Sequence, residues 1–189
     1  MRITGGEFSG RRIKEPPDQV RPTQDRVREA IFSSLAAMIP GSRVLDLYAG
    51  AGTLGLEAWS RGADHVCWVE SEPQTCRVLR SNVATFCTDP ARRAEVVCTD
   101  AFRYVVSGKH PGTYDLIMAD PPYARTEEDS ILNPLLAAVR DHEWLVSDGF
   151  LVFEQSRRLK PVDEPGWALV RDRHYSQTRV LTYRRVPSS

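Results

Sequence analysis

No apolar run in this sequence comes near the roughly 18 residues needed to cross a bilayer, so no membrane span or membrane partner is expected. The start, Met1-Arg-Ile-Thr-Gly-Gly-Glu7, has no apolar stretch behind a basic residue and does not read as a secretory signal, so a cytoplasmic location is expected. Cysteine is sparse: Cys67, Cys76, Cys87 and Cys98 form no Cys-x-x-Cys pair. The four histidines, His65, His110, His142 and His174, show no ligand spacing, so no metal site is expected. Cys67 and Cys98 read as buried strand residues. Lysine is scarcer still, three against 22 arginines. No Tyr-x-x-x-Lys or paired His–acid arrangement of the kind oxidoreductases use stands out.

Net charge is also missing, but the zero hides a division. Residues 1–43 hold eight basic and five acidic side chains, residues 44–154 hold nine and 17, and residues 155–189 hold eight and three. Basic ends around an acidic middle suit an anionic partner gripped by the termini. Arginine in place of lysine favours planar, bidentate phosphate contacts, although genomic base composition gives the same bias. The 189 residues suffice for one domain with a substantial core, and nothing calls for more than a monomer.

Residues 1–22, with Gly5, Gly6, Gly10, Pro16, Pro17 and Pro22, read as an N-terminal arm with a short hairpin around Ile3 to Ile13. The remaining domain, residues 23–189, begins at Thr23, a candidate helix N-cap, with a helix to about Met38 whose apolar face is Val27, Ile31, Leu35 and Met38. Strands and helices then alternate. Strands are expected at Val44–Tyr48, His65–Glu70, Glu95–Thr99, Tyr114–Ala119 and Leu151–Glu154, with an antiparallel pair at Trp167–Tyr175 and Thr178–Arg185. Helices are expected from Gly55 to Arg61, from Pro73 to Phe86, from Ala101 to Ser107 and from Ile131 to Val139, with a polar loop at Arg125–Ser130. This alternation is that of an α/β fold, a mainly parallel sheet with helices on both faces.

Two constellations carry chemistry. Gly50-Ala-Gly52-Thr-Leu-Gly55 fits the G-x-G-x-x-G loop of dinucleotide sites, and Glu70 lies at the end of the second strand, where an acid meets ribose hydroxyls. NAD is therefore one reading. Asp46, inside the first strand, and Asp100, after the third, favour another. Three acids at three successive strand ends suit a cationic sulfonium with a ribose and an adenine, and repel a pyrophosphate. That reading is S-adenosylmethionine. Trp68 reads as a packed strand residue rather than a stacking platform.

The second constellation is Asp120-Pro121-Pro122-Tyr123, after the strand Tyr114–Ala119. Proline cannot donate to a ladder, so the tetrapeptide must leave the sheet at its C-terminal edge, where open α/β sheets bind ligands. It offers a rigid turn, one acceptor and one flat face, which suits chemistry on the exocyclic amine of a planar base.

Nearly the whole chain resembles the RsmD family, bacterial methyltransferases of guanine N2 in 16S ribosomal RNA. The resemblance runs through Met1-Arg-Ile-Thr-Gly-Gly-Glu-Phe-Ser-Gly10-Arg11-Arg12, Arg21-Pro22-Thr23-Gln-Asp25-Arg26-Val-Arg28-Glu29-Ala30-Ile-Phe32, Val44 to Gly55, Ser60-Arg-Gly-Ala63, Val69-Glu70 and Asp120 to Tyr123. It implies a Rossmann-like, class I S-adenosylmethionine-dependent methyltransferase fold, with a seven-stranded sheet ending in an antiparallel hairpin. It implies that Asp46, Ala49, Gly50, Ala51, Gly52, Glu70, Asp100, Ala101 and Asp120 line the cofactor pocket, with Thr23 covering it. Asp120 and the Pro121 carbonyl would then accept from the N2 amine, Pro122 would stiffen the turn and Tyr123 would stack on the flipped base. Arg2, Arg11, Arg12, Arg21, Arg26 and Arg28 become candidates for RNA contact, although Arg26 or Arg28 could equally support the fold through Asp25 or Glu29. The implied partner is 16S RNA in a partly or fully assembled small subunit. Where that family tends to have a glycine-containing turn before its last strand, this chain has Tyr175-Ser-Gln-Thr178. The competing readings are a methyltransferase of another base amine or a protein amide, an NAD-dependent oxidoreductase, and a non-catalytic RNA-binding scaffold.

Overall fold

The structure, a computed structural model, describes residues 1–16, 25–109 and 114–186. Arg21, Thr23, His110 and the expected boundary between residues 22 and 23 lie outside the described residues. The chain forms two compact units, Met1–Asp100 and Ala101–Ser189.

The first unit contains α1 (Asp25–Ser34), β1 (Arg43–Leu47), α2 (Thr53–Ser60), β2 (His65–Glu70), α3 (Pro73–Phe86) and β3 (Arg93–Cys98). Its strands are parallel in the order β3-β2-β1, with Asp46 beside Trp68 and Glu70 beside Cys98. Val44, Leu45 and Leu47 of β1 and Val66 to Val69 of β2 are fully buried, the near-continuous apolar run of a strand covered on both faces. Pro73 starts α3 where a missing N–H costs nothing, and Glu72 caps it by accepting from the Thr75 amide at 2.6 Å.

Two expectations fail here. The first helix stops at Ser34, four residues short of Met38. The Ser34 hydroxyl donates to the Ile31 carbonyl at 2.7 Å, and the chain tightens into i→i+3 turns at Leu35 and Met38. Ile39, not Met38, completes the buried face. Cys98 is exposed on β3 rather than buried, and it forms a disulfide with buried Cys76 of α3 across a Cα separation of 6.1 Å. Their 22-residue separation hides a pairing made by the turn between α3 and β3. Cys67 is buried, as expected.

The arm docks on this unit. Arg2 and Arg12 form an antiparallel bridge, and Ile3 and Ile13 are buried. Buried Glu57 of α2 accepts from the Thr4 amide at 2.8 Å and the Thr4 hydroxyl at 2.6 Å, and pairs with Arg61 at 2.8 Å. A Cβ on Gly6 would lie 1.9 Å from the Ser60 carbonyl oxygen, so only glycine admits this approach. Asn82 of α3 donates to the carbonyls of both Lys14 and Ala51 at 2.9 Å and accepts from the Lys14 amide at 3.0 Å.

The second unit contains α4 (Ala101–Val106), β4 (Tyr114–Ala119), α5 (Leu132–Asp141), β5 (Leu145–Ser156), β6 (Trp167–Tyr175) and β7 (Thr178–Arg185). Its strand order is β4-β5-β7-β6, with β4 and β5 parallel and the rest antiparallel. The strand expected at Leu151–Glu154 runs for 12 residues. The register shifts between Tyr114 and Leu116 and the pairing continues past Asp148-Gly149, a bulge inside the strand. Asp148 takes φ 63° there. Trp144 is fully buried and donates to the Val105 carbonyl at 2.8 Å, tying α4 to the entry of β5. Among the described residues no helix is long and apolar enough to cross a membrane.

Candidate active site

In the first unit, the chain turns sharply between β1 and α2. Tyr48, Gly50 and Gly52 all adopt positive φ, at 60°, 55° and 88°. For a tyrosine this is a strained conformation, of the kind that gathers at functional sites. Burial, and secondarily the Asp100 carboxylate, push the Tyr48 phenol up to about 12. Tyr48 carries little signal in the sequence. Its only sequence signal is an aromatic side chain between Asp46 and the glycine loop.

The loop is held from three sides. Asp46 is buried, and its Oδ2 accepts from the Gly55 amide at 2.8 Å. At least one oxygen of this acid therefore supports the loop. The Gly50 amide donates to Glu70 Oε2 at 2.9 Å, while Glu70 Oε1 accepts from the amides of Ser71 and Glu72 at 2.8 and 2.9 Å. The Ala49 amide bonds the Val69 carbonyl at 3.0 Å, and Asn82 holds the Ala51 carbonyl. Trp68 is fully buried and donates to the Gly52 carbonyl at 3.2 Å, so it packs as expected. A Cβ on Gly55 would lie 2.1 Å from Trp68 Nε1, and on Gly52 2.5 Å from Leu79. The glycines thus serve close helix–strand packing as well as the turn.

Asp46, Glu70 and Asp100 lie at or just beyond the C-terminal ends of β1, β2 and β3, in that order. Carboxylates only accept hydrogen bonds when ionised. This set fits ribose hydroxyls, an adenine amine and a positive sulfonium, and it does not fit a pyrophosphate.

In the second unit, Asp120 follows β4 directly, and Ala101, buried, opens α4. Pro121 is buried and Pro122 exposed. Tyr123 keeps 42% of its surface exposed although its hydroxyl is tied down. That hydroxyl donates to Glu154 Oε1 at 2.7 Å and lies 2.6 Å from Thr178 Oγ1. Burial, then the charge of Glu154, push the Tyr123 phenol well above its ordinary value. A small surface pocket opens beside it, lined by Pro121, Pro122, Tyr123, Ile131, Phe153 and Gln155 among others. Glu154 and Thr178 were not foreseen. Glu154 stands near the C-terminal end of β5 and could have been found by the rule that found Asp46. Thr178 is marked in the sequence only as the last residue of the Tyr175–Thr178 departure. The loop at Arg125–Ser130 is a turn closed by Thr126 and Asp129 at 2.8 Å.

The candidate RNA-binding arginines separate. Arg2, Arg12 and Arg26 are exposed. Arg11 is exposed too, with its guanidinium 5.1 and 4.6 Å from the ring centroids of Phe8 and Phe86. Arg28 is fully buried and donates to the Arg2 carbonyl and to Asp25 Oδ1. It joins α1 to the arm, and a phosphate cannot reach it.

A family model described as conserved hypothetical protein 95 matches residues 1–184. Ribosomal RNA small subunit methyltransferase D of Escherichia coli (strain K12) is 32% identical over 187 residues, covering 98% of this chain and 90% of its own. The solved structure of yhhF from Escherichia coli superposes with a TM-score of 0.85 at 32% identity, over 98% of both chains. An RNA methyltransferase from Salinibacter ruber, solved with S-adenosyl-L-homocysteine, shares the fold at a TM-score of 0.64 and 16% identity, over 89% of this chain and 96% of its own.

Proposed function

This chain belongs to the conserved hypothetical protein 95 family, that of the RsmD methyltransferases, and from that premise we propose the reaction it performs: methyl transfer from S-adenosylmethionine to the exocyclic N2 amine of a guanine in 16S ribosomal RNA. The chain is a methyltransferase, and its relative in Escherichia coli is named for small-subunit ribosomal RNA. The observation that carries the amine reading is the tetrapeptide, an acid at the end of β4, two prolines, and an aromatic ring anchored by its hydroxyl with its surface exposed, and the family resemblance narrows that amine to guanine N2.

The cofactor supplies a methyl group on a positive sulfur that leaves readily, so no nucleophile, metal or acid catalyst is required of the protein. Glu70 and Asp100 accept from its ribose and adenine, and the loop Ala49–Gly52 brings backbone close to it. Asp46 keeps that loop in place through Gly55. Asp120, helped by the Pro121 carbonyl, accepts from the N2 amine and leaves its lone pair directed for attack. Pro122 limits the turn, and Tyr123 stacks on the extruded base. Arg2, Arg11, Arg12 and Arg26 hold phosphates. The substrate is RNA in a partly or fully assembled small subunit, met in the cytoplasm by a monomer.

Labelled S-adenosylmethionine, supplied with naked 16S RNA and with small subunits at successive stages of assembly, tests this reading. Label mapped to the N2 of one guanine supports it. Label on another base or on protein, or no transfer together with tight NAD binding, overturns it.

A further inference from the structure

We propose that Glu154 and Thr178 are positioning residues that lock the ring of Tyr123 in the plane its base requires; this role rests on the function proposed above. The two residues come from neighbouring strands. Glu154 lies on β5 opposite Val180, and Thr178 opens β7 opposite Ser156, so the sheet ladder fixes both backbones. The phenol has one proton. It goes to the Glu154 carboxylate, which only accepts, so Thr178 Oγ1 must be the donor in the second bond. One oxygen thus gives one hydrogen bond and receives another, from two directions. A ring held at its far end in this way, behind two prolines that restrict the backbone, has lost most of its torsional freedom before a base arrives.

The arrangement needs Thr178 where it stands. The hairpin between β6 and β7 turns at Ser176-Gln177, with Ser176 at φ 52°, a conformation glycine adopts more readily. The Gln177 carbonyl accepts from the Arg157 amide at 2.8 Å, which braces the turn from the residue that follows β5. The sequence departure at Tyr175–Thr178 therefore ends on a side chain that touches the tetrapeptide. Glu154 is 5% exposed, too buried to serve solubility, and the Tyr123 hydroxyl gives it a charge-assisted bond.

The test is a double-mutant cycle on methyl transfer to small subunits. Thr178→Val and Glu154→Leu should each raise KM for the subunit roughly three- to tenfold, the weight of one hydrogen bond, while KM for S-adenosylmethionine stays nearly constant. Thr178→Ser and Glu154→Gln should retain most of the wild-type value. In a Tyr123→Phe background, which removes the shared hydroxyl, each substitution should add less than a twofold change. Full effects persisting in that background, or an unchanged KM in Thr178→Val, overturn the role. Should Glu154→Leu fail to fold, the half-exposed Thr178 carries the cycle alone. A wild type that transfers no methyl overturns the proposed function and this role with it, whereas transfer with additive effects overturns the role only.

Discussion

The Gly50 amide donates to Glu70 Oε2 at 2.9 Å, joining the glycine loop after β1 to the last residue of β2. The acid proposed for the ribose thus also holds the loop proposed to bring backbone close to the cofactor. Its other oxygen is fixed by two further amides, so the carboxylate is oriented before any ligand meets it.

Glu70→Ala should therefore weaken S-adenosylmethionine binding by roughly 10- to 100-fold, the range for hydrogen bonds to a charged group. Titration calorimetry measures this directly. An unchanged affinity would remove Glu70 from the cofactor site.

Asp120→Ala should separate binding from chemistry. Transfer should drop on the order of 100-fold or more, because the amine is no longer aimed, while cofactor affinity stays within a few-fold of wild type. Single-turnover rates and calorimetry on the same preparation decide it. A parallel loss of cofactor binding would mean that Asp120 acts on the cofactor instead.

Arg12 and Arg28 should behave oppositely. Exposed Arg12→Ala should lower the slope of log affinity against log salt for RNA by about 1 with little change in melting temperature. Buried Arg28→Ala should leave Asp25 and the Arg2 carbonyl without their partner and destabilise the fold by about 1–3 kcal/mol, seen as a lower thermal midpoint.

His65 should make stability fall in mild acid. Burial holds its imidazole below the ordinary value, and Arg43 and Arg93 push the same way against the nearby Glu95. The folded state therefore takes a proton less readily than the unfolded chain. Stability is complete above the ordinary histidine pKa of about 6.5 and is lost as pH falls from there toward the lower folded value. Thermal midpoints from pH 7.5 to 5 should show this slope, and His65→Gln should flatten it.

Much of the fold was legible because local chemistry and tertiary packing agree. β2 at His65–Glu70, α3 at Pro73–Phe86 and β4 at Tyr114–Ala119 have the expected bounds, each marked by a run of apolar residues or a capped start. β5 was underestimated because Asp148-Gly149 carries turn chemistry that a neighbouring strand overrides through a bulge. Cys98 was misplaced because nothing in the sequence marks β3 as an edge strand. The glycine loop, Asp46 and Glu70 stand out because they lie within one βαβ unit, and Asp100 because it follows the next strand. The anchors of Tyr123 do not, since they lie 31 and 55 residues away and meet it only through the order of strands.

The docking of the arm also sets a timetable. Thr4 finds its partner Glu57 after 53 residues and Lys14 finds Asn82 after 68. The arm precedes its partners in the chain, so in this unit it reaches its final contacts only once α2 and α3 are in place. Until α3 is in place, Arg11 lacks the Phe86 ring that its guanidinium lies against.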